Sequence, residues 1–198
     1  MYTLFDAQYT KTNKKENKKM KKILVVVDMQ NDFVDGALGS KEAVAIVDNV
    51  VEKIKNFNGE IIATYDTHYS TYMDTREGKY LPVPHCIKDT DGWQLNEKVK
   101  KALEEKDYTQ IYKPTFGSVT LVEKLKGIDQ INTEVTLIGL CTDICVVSNA
   151  MLLKAHFPEM NINVDATCCA GVTPDKHNAA LEVMRSCQIN VMEDVWND

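Results

Sequence analysis

The residues of this chain that can do chemistry share one position, at or just after an apolar run that predicts a buried strand. They comprise an acid, a cation, two thiols and an Asp-x-His pair, in chain order Asp28, Asp66, His68, Lys113, Cys141 and Cys145. Because ligands in open α/β sheets bind beyond the carboxyl ends of the strands, this shared position predicts one site. A thiol with a base and a cation nearby is the composition that a cysteine nucleophile requires.

Each of these side chains also has a purely structural interpretation. Asp28 could cap a neighbouring helix, Lys113 could be a surface charge, and Cys145 could be a small buried apolar residue. Their common placement favours a chemical role but does not by itself fix the reaction.

The elements that must position these residues follow from the apolar pattern. Continuous or β-branched apolar runs predict strands at 22–28, 60–65, 109–112, 136–140, 162–166 and 189–192. Helical spacing predicts helices at 42–57, 94–104, 118–126, 142–155 and 174–186, the first burying Val44, Val47, Val51 and Ile54. The alternation predicts an α/β fold with a mainly parallel sheet.

Length and charge narrow the class of protein. The chain has 198 residues and a net charge of −6, which suits one domain, expected over 20–198. Residues 1–19 are polar and rich in lysine, so they predict a disordered basic leader. The rest is therefore more acidic than the whole, which argues against nucleic acid as a partner.

The sequence also excludes several classes of site. No apolar run is long enough to predict a membrane helix or a secretory signal, so no membrane partner and a cytoplasmic location are expected. Neither a GxGxxG motif nor a P-loop occurs, so no nucleotide cofactor is expected. The six cysteines predict free thiols and not a disulfide framework.

Three segments carry a resemblance to a known family. VVDMQNDF (26–33), YKPTFGS (112–118) and GLCTDICVVSNA (139–150) resemble, in order and spacing, the catalytic segments of isochorismatase-like, nicotinamidase-related cysteine hydrolases. The likeness extends over about 20–192. It implies a Rossmann-like three-layer fold with a six-stranded sheet and a catalytic triad of Asp28, Lys113 and Cys145.

The chemistry of that triad is consistent with the residue types. Cys145 is predicted in the first turn of a helix, where free N–H groups and a nearby Lys113 would favour a thiolate. Asp28 could take the thiol proton and later pass it to departing ammonia. The resemblance further implies a cis peptide bond between Leu140 and Cys141, with the N–H groups of Cys141 and Cys145 forming an oxyanion hole.

A metal site is implied by the long irregular segment 66–92. Asp66-x-His68 followed by His85 resembles the metal ligands of nicotinamidases, and Glu77 could supply a further ligand. These ligand types suit Zn²⁺, with Fe²⁺ or Mn²⁺ as alternatives. The other interpretation is that both histidines are ordinary loop residues. Where nicotinamidases commonly have Trp between the Asp and the His, this chain has Thr67.

The expected reaction is hydrolysis of a small carboxamide through a thioester, nicotinamide being favoured, within the salvage of pyridine nucleotides. Phe33, Tyr69 and Phe116 could wall a pocket for a flat ring. The alternatives are a C–N hydrolase acting on a carbamoyl or ureido compound, a non-catalytic binding protein, or a redox sensor that joins Cys141 to Cys145. A homo-oligomer is expected.

Overall fold

Six parallel strands form the centre of the fold. The computed structural model describes residues 19–193, and in them the strands are β1 Lys21–Val27, β2 Glu60–Asp66, β3 Tyr108–Lys113, β4 Thr133–Leu140, β5 Asn161–Ala170 and β6 Asn190–Met192. Their order in the sheet is β3-β2-β1-β4-β5-β6, and every pairing is parallel. The predicted α/β fold with a six-stranded sheet is therefore confirmed.

The apolar run of β1 is buried on both faces, as its composition predicts. Leu24 and Val26 pack into one core cluster, while Ile23, Val25 and Val27 pack into the other, and all five side chains are fully buried. A strand flanked on both sides by helices needs apolar residues at every position. The sheet is thus the middle of three layers.

Eight α-helices are found in the described part of the chain. They are α1 Asn31–Val34, α2 Lys41–Ala45, α3 Val47–Asn56, α4 Arg76–Tyr80, α5 Glu97–Glu104, α6 Val119–Lys124, α7 Val147–His156 and α8 Pro174–Ser186. The first core cluster contains residues of α1, α2, α3 and α5, and the second contains residues of α6, α7 and α8. Thr173 caps α8 through its side chain, with Pro174 at the first position.

The single helix predicted over 42–57 is wrong in one respect. The chain turns at Ile46 and forms two helices, α2 and α3. Because of this break, α2 and α3 do not share one continuous buried face. Val44 on α2 is half exposed, whereas Val47 and Ile54 on α3 are buried as expected. A continuous 3.6-residue period cannot show such a break, because both halves keep apolar residues on their inner faces.

Two short non-α turns lie where the sequence predicts chemistry. Tyr72–Asp74 forms a 3₁₀ turn and is followed by α4, so the segment 66–92 has some regular structure. Thr142–Val146 forms a π-helical turn between β4 and α7, where one continuous helix was predicted. Such turns are frequent at functional sites.

Some expectations lie outside what the structure describes. The predicted leader falls, apart from Lys19, on residues that are not described, and the expected homo-oligomer stays a prediction. None of the helices within 19–193 combines the length and the apolar character that crossing a bilayer requires. The six cysteines all lie within the described residues and form no disulfide, as predicted.

Strand register places the ends of four strands side by side. Asp66 pairs with Lys113 across β2 and β3, and Val27 of β1 lies between Thr64 of β2 and Gly139 of β4. The residues that follow these positions must therefore meet at one edge of the sheet.

Gly139 marks the closest approach of β4 to β1. Its φ is 114°, and a Cβ at this position would lie 2.1 Å from the carbonyl oxygen of Val27. Both features require glycine. Since the turn that carries Cys145 begins just beyond Leu140, this contact sets where the turn starts.

Gly139→Ala is expected to lower the free energy of unfolding by more than about 2 kcal/mol, because the added methyl strikes backbone that cannot move alone. Gly127→Ala is the matched control. Gly127 also has a positive φ, 79°, but nothing lies within 4 Å of its Cβ position, so it should lose only about 1 kcal/mol. Urea unfolding of both variants measures the difference, and equal losses would contradict this account.

Candidate active site

A buried ammonium group joins the three residues predicted as a triad. The Nζ atom of Lys113 lies 2.6 Å from Oδ2 of Asp28 and donates to Sγ of Cys145 at 3.4 Å. All three side chains are buried, and Lys113 is only 1% exposed. The structure therefore brings the predicted acid, cation and thiol together, although they come from three different strand ends.

Asp28 is held by the neighbouring strand. The chain leaves β1 with a positive φ of 47° at this residue, which Asp tolerates better than most residues. The Thr64 hydroxyl donates to Oδ1 of Asp28 at 2.7 Å, and the Asp28 N–H donates to the Thr64 carbonyl at 3.2 Å. One carboxylate oxygen thus faces β2 and the other faces Lys113.

Burial determines the charge of these groups. It raises the pKa of Asp28, an effect that the charge of Lys113 opposes. Burial alone would lower the pKa of Lys113, but Asp28 and Cys145 beside it raise that pKa above its ordinary value. Lys113 is therefore a permanent cation, and Asp28 is a stronger base than an exposed carboxylate.

The thiol differs from the sequence-based expectation. Burial raises the pKa of Cys145 well above its ordinary value, and Asp28 raises it further, while Lys113 only partly lowers it. Lys113 therefore acts on the thiol in the expected direction, but burial outweighs it, and the sequence did not indicate how deeply Cys145 is buried. A thiol in these surroundings would start neutral and would need a base to take its proton before it could attack.

A second group of side chains adjoins the triad. Asp66, His68, Glu77 and His85 place one ligand atom each within 4.8 Å of one another. Oδ2 of Asp66 lies 3.0 Å from Nε2 of His68 and 3.6 Å from Nε2 of His85, and Oε1 of Glu77 lies 3.6 and 3.7 Å from the same nitrogens. The four predicted ligands, including Glu77 on α4, thus converge.

These four residues fit a divalent cation. Nε2 of His68 is buried, and the neighbours that it faces are the carboxylates of Asp66 and Glu77, which are themselves possible metal ligands. The Nδ1 atom of His85 donates to the Val83 carbonyl at 2.8 Å, which turns Nε2 toward the group. Two imidazoles and two carboxylates are a ligand set typical of Zn²⁺ and similar ions.

Asp66 connects the metal group to the triad. Its Oδ1 atom lies 3.3 Å from Nζ of Lys113, while Oδ2 faces the histidines. Burial would raise the pKa of Asp66, but its contacts with His68 and His85 and the charge of Lys113 hold that pKa well below the usual range. This carboxylate is therefore ionised and ready to bind a cation.

Gln30 fixes Asp66, and the sequence analysis did not single it out. Its fully buried amide accepts from the Asp66 N–H at 2.7 Å and donates to the Asp66 carbonyl at 2.9 Å. The same Nε2 also donates to the Trp93 carbonyl at 2.9 Å. A polar residue two positions beyond the candidate acid Asp28, at the end of a buried strand, is the signal that could have identified it.

The turn Thr142–Val146, which carries Cys145, is held by backbone hydrogen bonds and by a second buried side-chain amide. The peptide bond between Leu140 and Cys141 is cis, as the resemblance implied. The Cys141 carbonyl accepts from the N–H groups of Ile144 and Val146 at 3.1 Å. These contacts close the π-helical turn around Cys145.

Asn149 ties this turn to the loop that follows Lys113. Its side chain is fully buried, donates to the carbonyls of Cys145 at 2.8 Å and Phe116 at 3.1 Å, and accepts from the Ser118 N–H at 2.9 Å. The sequence analysis missed it as well. An Asn inside an apolar helix, where it is intrinsically unfavourable, was the available signal.

Comparison with known proteins assigns the family. The isochorismatase domain model matches residues 22–194. The chain belongs to the isochorismatase family.

Individual members of this family are similar over most of the chain. A nicotinamidase/pyrazinamidase from Mycobacterium tuberculosis is 28% identical over 85% of this chain and 97% of its own length. The crystal structure of a nicotinamidase/pyrazinamidase from Bacillus subtilis superposes with a TM-score of 0.77 at 28% identity, covering 88% of this chain and all of that one. A pyrazinamidase from Pyrococcus horikoshii, solved in complex with zinc, superposes with a TM-score of 0.71 at 28% identity. The match covers 87% of this chain and 99% of that one.

The two thiols of the isochorismatase domain face different parts of its core. Cys141 packs against the first core cluster and Cys145 belongs to the second, on the other face of the sheet. This packing does not favour the disulfide that the redox hypothesis requires. Burial raises the pKa of Cys141 to about 12, which is also unfavourable for a reactive thiol.

Thr67 of this family member contacts aromatic residues. Its hydroxyl accepts from Nε1 of Trp93 at 2.9 Å, and Trp93 packs with Tyr65 and Tyr112. The residue that replaces the usual Trp thus binds Trp93, and its neighbours Asp66 and His68 still converge in the candidate metal group.

The predicted pocket residues are only partly placed beside the site. The Phe33 ring lies 5.4 Å from the ring of His85, so it adjoins the metal group. Tyr69 and Phe116 are exposed on the loops that carry His68 and follow Lys113, and their role as pocket walls stays a prediction.

His177 on α8 lies close to the candidate triad. Its Nδ1 atom lies 2.8 Å from the hydroxyl of Thr142, the first residue of the turn that carries Cys145. Helical periodicity could not reveal this contact, because it depends on how α8 docks against the turn after β4.

Purified protein is expected to carry about one divalent ion per chain, because the four-residue group offers enough ligands for one ion. His68→Ala and His85→Ala should each lose it, whereas His156→Ala, an exposed histidine at the end of α7, should not. Elemental analysis by mass spectrometry measures the ion content. An ion-free chain with full activity would refute the site.

Proposed function

We propose that this chain is a cysteine amidase that hydrolyses nicotinamide to nicotinic acid and ammonia. The observation that carries the proposal is the contact of Lys113 with Asp28, Asp66 and Cys145, which puts a nucleophile with its base directly beside a metal-binding group. The similarity to proteins named nicotinamidase points to the same substrate.

The first half of the reaction forms a thioester on Cys145. Asp28 takes the thiol proton as the sulfur attacks the carboxamide carbon, so the negative charge moves to the carbonyl oxygen. The N–H groups of Cys141 and Cys145 are proposed to donate to that oxyanion. Collapse of the tetrahedral intermediate breaks the C–N bond, and Asp28 gives its proton to the departing amine, which leaves as ammonia.

The second half regenerates the thiol. Asp28 removes a proton from water, and the resulting hydroxide attacks the thioester carbon. The C–S bond then breaks, the acid leaves, and the sulfur recovers a proton from Asp28. Throughout both halves Lys113 stays charged and offsets the negative charge of Asp28 and the sulfur.

The metal group is proposed to hold Zn²⁺, with Fe²⁺ or Mn²⁺ as alternatives. When bound, the ion would supply a Lewis acid that anchors the ring nitrogen of the substrate or a water molecule. Asp66, His68, Glu77 and His85 are the proposed ligands, and Phe33, Tyr69 and Phe116 are the proposed walls of the ring pocket. A reactive thiol also fits a reducing compartment, so we place the protein in the cytoplasm.

Cys145→Ala is expected to abolish ammonia release while leaving the unfolding midpoint close to that of the wild type. Cys141→Ala should keep most of the rate, since only the backbone N–H of Cys141 is used. Cys187→Ala, at the end of α8, is the control for loss of a thiol. An enzyme-coupled ammonia assay measures all three, and a reversed order of Cys145 and Cys141 would overturn the assignment.

Nicotinamide is expected to be cleaved about 100-fold faster than benzamide, because benzamide lacks the ring nitrogen and leaves a polar partner unsatisfied. Comparing kcat/KM for the two amides tests this. Equal rates would mean that the ring nitrogen is not recognised. Ammonia from a carbamoyl or ureido compound, with none from either amide, would establish the alternative substrate class.

A further inference from the structure

The phenol ring of Tyr72 packs against both histidines of the metal group. Its centroid lies 4.8 Å from that of His68 and 5.1 Å from that of His85, each at a steep angle. The side chain is 1% exposed. A rigid ring in contact with both imidazoles limits the orientations that their ligand nitrogens can take.

The polar atoms of Tyr72 hold both ends of α4, the helix that carries Glu77. The Tyr72 hydroxyl donates to the carbonyl of Leu81 at 2.9 Å, at the end of the helix. At the start, the Tyr72 carbonyl accepts from the N–H and the hydroxyl of Thr75 at 3.0 and 2.7 Å. Thr75 is the N-cap, and its hydroxyl accepts from the Gly78 N–H.

These contacts matter because α4 is short. It has five residues, Arg76–Tyr80, and a helix of that length is not stable without tertiary support. If α4 moved, the carboxylate of Glu77 would leave its place 3.6 and 3.7 Å from the histidine nitrogens.

We propose that Tyr72 is the positioning residue that preforms the metal site. Its ring orients His68 and His85, and its hydroxyl, through Leu81 and α4, holds Glu77. The inference rests on the metal site of the proposed function but not on nicotinamide as the substrate. Zinc affinity therefore tests it without any turnover.

The first test is Tyr72→Phe in the full chain, which keeps the ring and removes the hydroxyl. The dissociation constant for Zn²⁺ alone, measured by competition with a chromogenic chelator, should rise about 10-fold, as is typical when a partner of a ligand is lost. Tyr80→Phe is the matched control, because Tyr80 lies on the same helix, is 77% exposed, and directs its hydroxyl and ring to the Arg76 side chain. Equal constants for the two variants would overturn the proposal.

The second test asks whether the hydroxyl acts through Glu77. In a Glu77→Ala background, adding Tyr72→Phe should change the zinc dissociation constant less than twofold, because the carboxylate that the hydroxyl positions is gone. The same 10-fold loss in both backgrounds would overturn the route through Glu77.

The third variant, Tyr72→Leu, removes the ring. It should weaken zinc binding in the Glu77→Ala background too, because the ring acts on the histidines, and unchanged affinity there would refute that part. If Tyr72→Leu does not fold, the two Tyr72→Phe comparisons decide the proposal alone. A chain that shows the expected zinc constants but releases no ammonia from nicotinamide would refute the proposed substrate and leave the role of Tyr72 standing.

Discussion

The site depends on one buried cation. Lys113 is almost completely inaccessible to water, and a lone ammonium group there would cost several kcal/mol. It is stable because two carboxylates, Asp28 and Asp66, face it, and these in turn would repel each other without it. The charges of Lys113, Asp28 and Asp66 can therefore stay buried only while the ends of β1, β2 and β3 keep their register.

Asp66 extends this constraint to the metal group. One of its oxygens faces Lys113 and the other faces His68 and His85, so the two halves of the site share a single side chain. With Asp28 and Glu77 included, the two halves contain three carboxylates and one ammonium group, and a divalent cation would balance the excess negative charge. Gln30 holds the backbone of Asp66 by both of its polar atoms, which fixes the junction between the two halves.

Burial also affects the proton on the proposed nucleophile, Cys145. The same low-polarity surroundings that strengthen the pairing of Lys113 raise the pKa of the Cys145 thiol. In the proposed mechanism the thiol starts neutral, so Asp28 would act as a base at the moment of attack and not merely as a counterion. Asn149 joins the turn of Cys145 to the loop after Lys113.

The sequence by itself determined which residues could react and that they would meet. Apolar runs located the strands, and a parallel sheet must gather the residues beyond their ends, as Asp28 and Lys113 show. The tertiary structure alone decided which neutral side chains hold the site. Gln30, Tyr72 and Asn149 act through hydrogen bonds or ring contacts with segments distant in the chain or across a turn, and no local period encodes such partners. The charge of the thiol was also decided there, because its pKa depends on how deeply the packed layers exclude water.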